Sequence, residues 1–190
     1  MTTSSPPVVG LVGLGAMGAG MAQSLRRAGH APHVFDLRRE VAQAFARDGG
    51  TACDTLAALG AASDIVISVV VNAQQTEAVL FGDGGTPGCA ASMKPGSLFV
   101  MCSTVDPNWS VALEARLATL GLLYLDAPIS GGAAKAASGQ MTMMTAGTPA
   151  AYDKAAGVLD AMAAKVYRLG DSAGAGSKVK VINQLLAGVH

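Results

Sequence analysis

The sequence predicts an α/β fold in which a mostly parallel, doubly wound sheet is flanked by helices. Apolar runs bounded by turn residues alternate along the chain with stretches of helical periodicity, which is the pattern of strands joined by crossover helices. A glycine-rich segment directly follows the first apolar run, as expected where such a sheet binds a nucleotide. With 190 residues, of which 51% are hydrophobic and 14% charged, the chain is long enough for one well-packed domain.

The apolar runs predict seven strands, and helices are expected to fill most of the gaps between them. Two helices have clear starts, because Asp106 and Thr148 each place a capping side chain ahead of a proline in the first helical position. The glycine-rich residues 82–88 are expected to form a surface loop. In chain order, the predicted strands are Val8 to Leu14, Pro32 to Phe35, Ile65 to Val71, Ser97 to Cys102, Leu122 to Asp126, Gln140 to Thr145 and Lys165 to Leu169.

The composition limits which binding partners and which cellular compartment we expect for this chain. Thirteen basic and thirteen acidic side chains give a formal net charge of zero, so we expect neither nucleic acid nor a membrane surface as a partner. Cys53, Cys89 and Cys102 are too few and too widely spaced for a disulfide framework or a metal site, and they suit a reducing compartment. Residues 1–7 are interpreted as a disordered leader, and no apolar run approaches the roughly 18 residues of a spanning helix. We therefore expect a cytoplasmic protein without a metal.

The first apolar run leads into a glycine loop and then into an amphipathic helix. In this setting the first glycine permits a tight turn, the second lets a pyrophosphate approach the backbone, and the third lets helix and strand pack closely. The N-terminus of the helix would face the phosphate charge. The pattern predicts dinucleotide binding on a Rossmann-type sheet, by the residues Gly13, Leu14, Gly15, Ala16, Met17 and Gly18.

Asp36 closes the second predicted strand, 18 positions after Gly18. A carboxylate there can accept hydrogen bonds from a ribose diol and would repel a 2′-phosphate. Arg38 and Arg39 follow and could bind that phosphate, so NAD is preferred over NADP without excluding it. The alternative is that Asp36 only caps the next helix.

Further cofactor contacts are expected at the carboxyl ends of later strands, where ligands bind on open α/β sheets. Val71 with Asn72, and Ser103 with Thr104, occupy such ends. A small hydroxyl or amide there could contact the nicotinamide ribose. Asn72 and Ser103 could equally be ordinary turn residues.

A second site is predicted beyond the strand that ends at Asp126. Ser130, Gly131 and Gly132 can turn their backbone N–H groups inward and form a nest for a carboxylate, with the Ser130 hydroxyl as an added donor. Considered alone, these three residues could also be a plain turn between two strands.

The last helix carries polar residues on one side. Helical geometry places Lys180, Asn183 and Gln184 on one face, with Lys178 on roughly the opposite side. The spacing therefore favours Lys180 as a site lysine and Lys178 as a solvated one, although both could extend to water from a surface helix.

Three segments together resemble the β-hydroxyacid dehydrogenase family, which includes 3-hydroxyisobutyrate dehydrogenases and tartronate semialdehyde reductases. They are GLGAMGAGMA near the start, DAPISGG in the middle and GAGSKVKVIN before the end. Other segments are most similar to the branch of L-threonate dehydrogenases, which oxidise four-carbon sugar acids: VVNAQQTEAVLFG, SGGAAKAASGQMT, KVYRLG and VKVINQLLAGVH. The resemblance covers nearly the whole chain.

The resemblance implies NAD-dependent oxidation of a small hydroxy acid, with Lys180 as the catalytic acid or base. It also implies that Ser130, Gly131 and Gly132 bind the substrate carboxylate and that Thr104 contacts the cofactor. Two positions depart from the family pattern, because many members have glycine in place of Lys135 and asparagine in place of Gln184. The substrate is therefore less firmly predicted than the type of reaction. A fragment or module that binds NAD without turnover is the alternative function.

The resemblance also predicts how the chain is divided. Residues 8–173 would form the NAD-binding domain and residues 174–190 the start of an interdomain helix. Family members continue from that helix into an all-helical domain that closes the cleft, and the resemblance leads us to expect that these 190 residues do not include it. We expect the apolar side of the last helix to pack on that domain, and the full-length form to be a homo-oligomer.

Overall fold

The computed structural model describes residues 6–187, which form a mixed sheet with helices packed on both faces. The strands are β1 (Val9–Val12), β2 (His33–Phe35), β3 (Thr51–Ala52), β4 (Ile65–Ser68), β5 (Leu98–Met101), β6 (Leu123–Asp126), β7 (Ile129–Ser130), β8 (Met141–Gly147) and β9 (Ala163–Arg168). The helices are α1 (Ala16–Arg27), α2 (Arg39–Arg47), α3 (Leu56–Ala62), α4 (Ala73–Phe81), α5 (Pro107–Ala118), α6 (Gly132–Ser138), α7 (Pro149–Met162) and α8 (Ala175–Ala187). A short 3₁₀ helix spans Ala90–Ser92.

The first six strands form a parallel sheet in the order β3-β2-β1-β4-β5-β6. The connection from β3 to β4 takes the chain from one half of this sheet to the other, so the switch point lies between the neighbouring strands β1 and β4. Ligands bind at such switch points in doubly wound folds. β8 extends the sheet by pairing antiparallel with β6. β7 follows β6 along the chain and pairs antiparallel with the same edge of β8. β9 then pairs parallel with β8. The predicted Rossmann-type architecture is confirmed.

The central strands β1, β4 and β5 bury both of their faces, which explains why they are continuous apolar runs rather than alternating ones. In β4, Ile65 and Ile67 pack into the core that contains α1 and α7, whereas Val66 packs into the core that contains α3, α4 and α5. The same alternation occurs in β5, between Leu98 with Val100 on one side and Phe99 with Met101 on the other. The sheet is therefore a rigid layer that fixes the positions of its strand ends.

All seven predicted strands are present, but two elements were missed and one interpretation was wrong. β3 has only two residues, and β7 is separated from β6 by Ala127 and Pro128. The segment after Ser130 is not a plain turn between strands, since α6 lies between β7 and β8. β1 ends at Val12, so that Gly13 and Leu14 belong to the loop.

The two predicted helix starts are confirmed by hydrogen bonds. Asp106 Oδ1 accepts bonds from the amides of Asn108 at 2.8 Å and Trp109 at 3.2 Å, and Thr148 Oγ1 accepts one from Ala151 at 3.3 Å. Most of the predicted leader and the last three residues lie outside the described residues. Among residues 6–187 no helix has the length and apolar character needed to cross a membrane.

Candidate active site

The glycine loop follows β1 at the switch point of the sheet and is shaped by close backbone contacts. Gly13 has a φ of 91°, which a side chain would disfavour, and a Cβ atom there would lie 2.5 Å from the Val69 carbonyl oxygen. A Cβ atom on Gly18 would lie only 1.8 Å from the Gly13 carbonyl oxygen. These two positions therefore require glycine for packing, independently of any ligand.

Gly15 differs from its neighbours, because a Cβ atom built there meets no atom of residues 6–187 within 4 Å. It precedes the first residue of α1, which has neither a side-chain cap nor an acidic residue in its first turn. The start of α1 therefore combines a positive dipole end with open space for an anion. The residues present fit a pyrophosphate, which would approach the backbone where Gly15 leaves room.

Asp36 follows β2 and contacts the glycine loop directly. Its Oδ2 accepts a hydrogen bond from the Leu14 amide at 2.8 Å, and its Oδ1 accepts bonds from the Arg38 amide at 2.9 Å and Arg38 Nε at 3.2 Å. Burial raises the pKa of Asp36, but these hydrogen bonds and the charge of Arg38 outweigh it, so the pKa lies below its usual value. A carboxylate can accept about four hydrogen bonds. Asp36 therefore shapes the loop and retains capacity for a ribose hydroxyl.

The two arginines after Asp36 are both paired with carboxylates. Arg38 Nε contacts Asp36, and Arg39 forms an ion pair with Asp54. Both arginines are exposed. Binding of a 2′-phosphate there would place it beside Asp36 and would compete with these pairs.

Two of the predicted cofactor contacts have clear structural partners. The Asn72 side chain caps α4 by accepting a hydrogen bond from the Gln75 amide at 2.9 Å, while the Val71 amide donates to Gln75 Oε1 at 2.8 Å. The Ser103 hydroxyl is buried and donates to the Val70 carbonyl at 2.8 Å. Asn72 is therefore the N-cap of α4, and Ser103 is bonded to the strand end at Val70; a contact of either residue with a cofactor stays a prediction.

A cleft of about 320 Å³ opens at the carboxyl ends of β1, β4 and β5. Its walls combine the glycine loop, the ends of these strands, the start of β7 and one residue of α8. Of the predicted site residues, Gly13, Leu14, Asp36 and Asn72 are outside the lining, and so are Ser130 to Gly132, Asn183 and Gln184. The lining consists of Gly15, Ala16, Met17, Gly18, Val69, Val70, Val71, Cys102, Ser103, Thr104, Ile129 and Lys180.

Leu14 contributes to the loop through its backbone, because its side chain is buried in the core. Val71 has the opposite character: it is 75% exposed at the rim of the cleft, where an apolar side chain can cover a bound ring. Thr104 is half-buried in the cleft wall. These three predicted contacts thus differ in the part of the residue that a cofactor could reach.

Ser130, Gly131 and Gly132 connect β7 to α6 beside Ile129, which lines the cleft. Gly131 and Gly132 have φ values of 137° and 77°, so this turn depends on glycine. Their backbones are exposed and Ser130 is half-buried. The turn is accessible to a small anion from the side of the cleft.

Lys180 is the residue of α8 that reaches the cleft. It is half-buried, whereas Lys178 is exposed, as the helical geometry of the sequence predicted. Burial lowers the pKa of Lys180 from its ordinary value. Asn183 and Gln184, one turn further along α8, are exposed and do not line the cleft. They would contact a substrate only where it extends out of the cleft toward solvent.

The residues that fix α8 to the sheet were missed by the sequence analysis. Asp126, fully buried at the end of β6, accepts hydrogen bonds from the Gly174 and Ser177 amides, both at 2.9 Å, and from Ser177 Oγ at 2.6 Å. Glu114 Oε2 accepts a bond from the Ala173 amide at 3.1 Å. Burial raises the pKa of Asp126, against the opposing effect of its hydrogen bonds. The position of Asp126 at a strand end, like that of Asp36, was the signal available in the sequence.

Comparison with known proteins agrees with this geometry. Residues 8–170 match the family model described as the NAD binding domain of 6-phosphogluconate dehydrogenase. The chain is 61% identical over 182 residues to L-threonate dehydrogenase of Cupriavidus necator, covering 96% of this chain and 60% of that protein. It is 37% identical over 180 residues to the NAD-dependent L-serine dehydrogenase of Pseudomonas aeruginosa, covering 94% of this chain and 59% of that protein.

A solved structure shows the same fold at similar coverage. The crystal structure of 3-hydroxyisobutyrate dehydrogenase (ygbJ) from Salmonella typhimurium superposes with a TM-score of 0.90 at 44% identity, over 96% of this chain and 62% of that one. The chain therefore spans about three fifths of the length of these relatives. By sequence and by fold, the chain belongs to the β-hydroxyacid dehydrogenase family, and its residues 8–170 match an NAD-binding domain.

Proposed function

We propose that this chain binds NAD as part of a dehydrogenase that oxidises a small hydroxy acid of the L-threonate or 3-hydroxyisobutyrate type, with Lys180 as the acid or base. The observation that carries the proposal is the cleft itself, in which one half-buried lysine faces the glycine loop of a dinucleotide-binding sheet. The 61% identity to an L-threonate dehydrogenase supports the substrate class.

The preference for NAD over NADP rests on charge. Asp36 remains ionised, because its pKa lies below the usual value, and it is the carboxylate nearest to the expected position of the ribose. The NAD-dependent relative from Pseudomonas aeruginosa supports the same preference. Gly15, with the first turn of α1, would receive the pyrophosphate, and Val71 and Thr104 would border the nicotinamide half.

Bound NAD supplies the hydride acceptor for oxidation of the alcohol carbon. The role of the protein is to remove the hydroxyl proton, and a lysine can accept it only while neutral. Partial burial lowers the pKa of Lys180, and closure of the cleft over a bound substrate would lower it further by excluding water. Ser130 and the amides of Gly131 and Gly132 would hold the substrate carboxylate, while Asn183 and Gln184 would contact its hydroxyl groups.

A second candidate function is NAD binding without turnover. It is favoured by the exposure of Asn183 and Gln184, because residues 6–187 leave the side of the cleft that would bind substrate open to solvent. We expect negligible oxidation of L-threonate by the 190-residue chain alone, because it spans only about three fifths of the length of these relatives.

The proposal is tested on Lys180 in a chimera that joins this chain to the remaining C-terminal part of the Cupriavidus necator enzyme. Lys180→Ala is expected to lower kcat about 100-fold or more, the usual scale for a positioned acid or base, with little change in NAD affinity. Lys178→Ala is the matched control and should retain activity, since that side chain is exposed on the same helix. Lys180→Arg should not restore turnover, because arginine stays protonated.

The contrary results are equally definite. Near-normal turnover of Lys180→Ala, or equal losses in the two alanine variants, would exclude Lys180 as the acid or base. An active 190-residue chain would show instead that the described residues form a complete site.

A further inference from the structure

Helix α8 is attached to the sheet almost entirely by its first turn. Among its described residues, Gly176 and Ser177 are the buried ones, while Val179, Ile182 and Leu186 are exposed. A Cβ atom on Gly176 would lie 2.5 Å from the Met144 carbonyl oxygen, so the helix touches the sheet backbone at this point. The location of every later residue of α8 depends on how this turn is fixed.

The turn is fixed by two carboxylates from different elements. Asp126 of β6 uses both oxygens, binding the Gly174 and Ser177 amides with Oδ2 and the Ser177 hydroxyl with Oδ1. Glu114 of α5 binds the preceding Ala173 amide. The first N–H groups of a helix have no partner within it, and a negative charge there is stabilised by the helix dipole.

We infer that Asp126, assisted by Glu114, is a positioning residue for Lys180: the clamp formed by Asp126, Glu114 and Ser177 sets the angle and depth at which α8 presents Lys180 to the cleft. Ser177 and Lys180 are three residues apart and therefore lie on the same side of the helix. Asp126 itself does not line the cleft, so its effect passes through the helix. The inference rests on the proposed function, in which Lys180 is the acid or base. The position of α8 can nevertheless be tested without measuring turnover.

Asp126 is informative because it is a fully buried carboxylate, and placing such a group in a protein core is energetically unfavourable. Burial without hydrogen bonds would cost several kcal/mol, so such a group is tolerated where its bonds are fully made. Ser177 Oγ and two amides satisfy Asp126, and their bonds span 48 to 51 residues of chain. In asparagine the carbonyl oxygen can still face the two amides, but the NH2 group must then donate to Ser177 Oγ, so the bond that the hydroxyl donates and the negative charge at the start of α8 are both lost.

The test uses the 190-residue chain and two NMR measurements: amide hydrogen exchange along α8 and the pKa of Lys180 Nζ. Asp126→Asn is expected to accelerate exchange of the amides of residues 178–182 about tenfold or more, the effect of losing a charge-assisted hydrogen bond. The pKa of Lys180 should rise toward its ordinary value as the lysine becomes more solvated. Ser177→Ala, which removes only the hydroxyl bond, should shift both quantities in the same direction but by less.

Thr55→Ala is the matched control. The Thr55 hydroxyl caps α3 at the exposed surface by accepting a hydrogen bond from the Ala58 amide at 3.0 Å, and α3 packs against β1, β2 and the 3₁₀ helix, so its loss should leave both α8 measurements unchanged. If Asp126→Asn does not fold, Ser177→Ala decides alone. Unchanged exchange and an unchanged Lys180 pKa in the clamp variants, or the same changes in Thr55→Ala, would overturn the inference. Neither readout measures catalysis, so failure of the clamp is distinguishable from failure of Lys180 as an acid or base.

Discussion

The glycine loop offers a sharp prediction, because two of its glycines are required for different reasons. A Cβ atom on Gly18 falls 1.8 Å from the Gly13 oxygen, whereas real contacts of this kind stay beyond 3.0 Å. In Gly18→Ala the helix must therefore move away from the loop by more than 1 Å. Overpacking of this severity costs about 2–3 kcal/mol. For a domain of this size, that lowers the melting temperature by about 4 to 12 °C.

Gly15→Ala should behave in the opposite way. Within the described part of the chain no atom lies within 4 Å of the added methyl group, and the φ of Gly15 is −64°, which alanine adopts freely. The poorer cap and the gain from a stiffer unfolded chain nearly cancel, so we expect a melting temperature within about 2 °C of the parent. The methyl group nevertheless occupies the space that the pyrophosphate would enter, and NADH affinity should fall about tenfold or more.

The two variants are compared by thermal melting, followed by circular dichroism, and by calorimetric titration with NADH. Gly20→Ala is a useful third variant, since its Cβ atom would meet the Ala137 amide nitrogen at 2.6 Å in the contact between α1 and α6. It should lower stability. Undiminished NADH binding by Gly15→Ala would refute the assignment of the loop to the pyrophosphate, and an unchanged melting temperature of Gly18→Ala would refute the packing argument.

Two further predictions concern Asp36. NADH should bind this chain more tightly than NADPH in calorimetric titrations; equal or tighter NADPH binding would mean that Arg38 and Arg39 are phosphate ligands. The folded state keeps the pKa of Asp36 below its ordinary 3.8, so this carboxylate stabilises the fold above about pH 3.8 and the benefit disappears as the pH falls through the lower folded-state value. The free energy of urea unfolding should therefore differ between the parent and Asp36→Asn at pH 7, and the difference should shrink on acidification. A difference that stays constant down to pH 3 would contradict this assignment.

The parts of the site that the sequence predicted are those whose signals are local. The glycine loop, Asp36 and the choice of Lys180 over Lys178 each depend on spacing within one element or on neighbouring elements. The roles of individual side chains were harder to predict, because a polar side chain at a strand end can either cap the next helix or contact a ligand. Asn72 illustrates this point, since its amide is used by the first turn of α4.

The clamp on α8 could not be predicted in the same way. Asp126 and Ser177 are 51 residues apart, and their contact exists only because β6 ends beneath the start of α8. Similarly, β7 was missed because its two residues pair with β8 only after Pro128 has interrupted the strand. Neither relation leaves a periodic or compositional trace.

Asp36 and Asp126 show why a strand-end aspartate alone does not reveal its role. Asp36 follows the last residue of β2 and Asp126 is the last residue of β6, and each accepts three hydrogen bonds. The Asp36 side chain keeps 10% of its surface exposed and its pKa lies below the usual value, so an ionised carboxylate remains available to a ligand. Asp126 is wholly buried, and its oxygens accept hydrogen bonds from the residues that begin α8. Burial, which depends on the complete fold, thus distinguishes the carboxylate that a cofactor could reach from the one that is enclosed beneath α8.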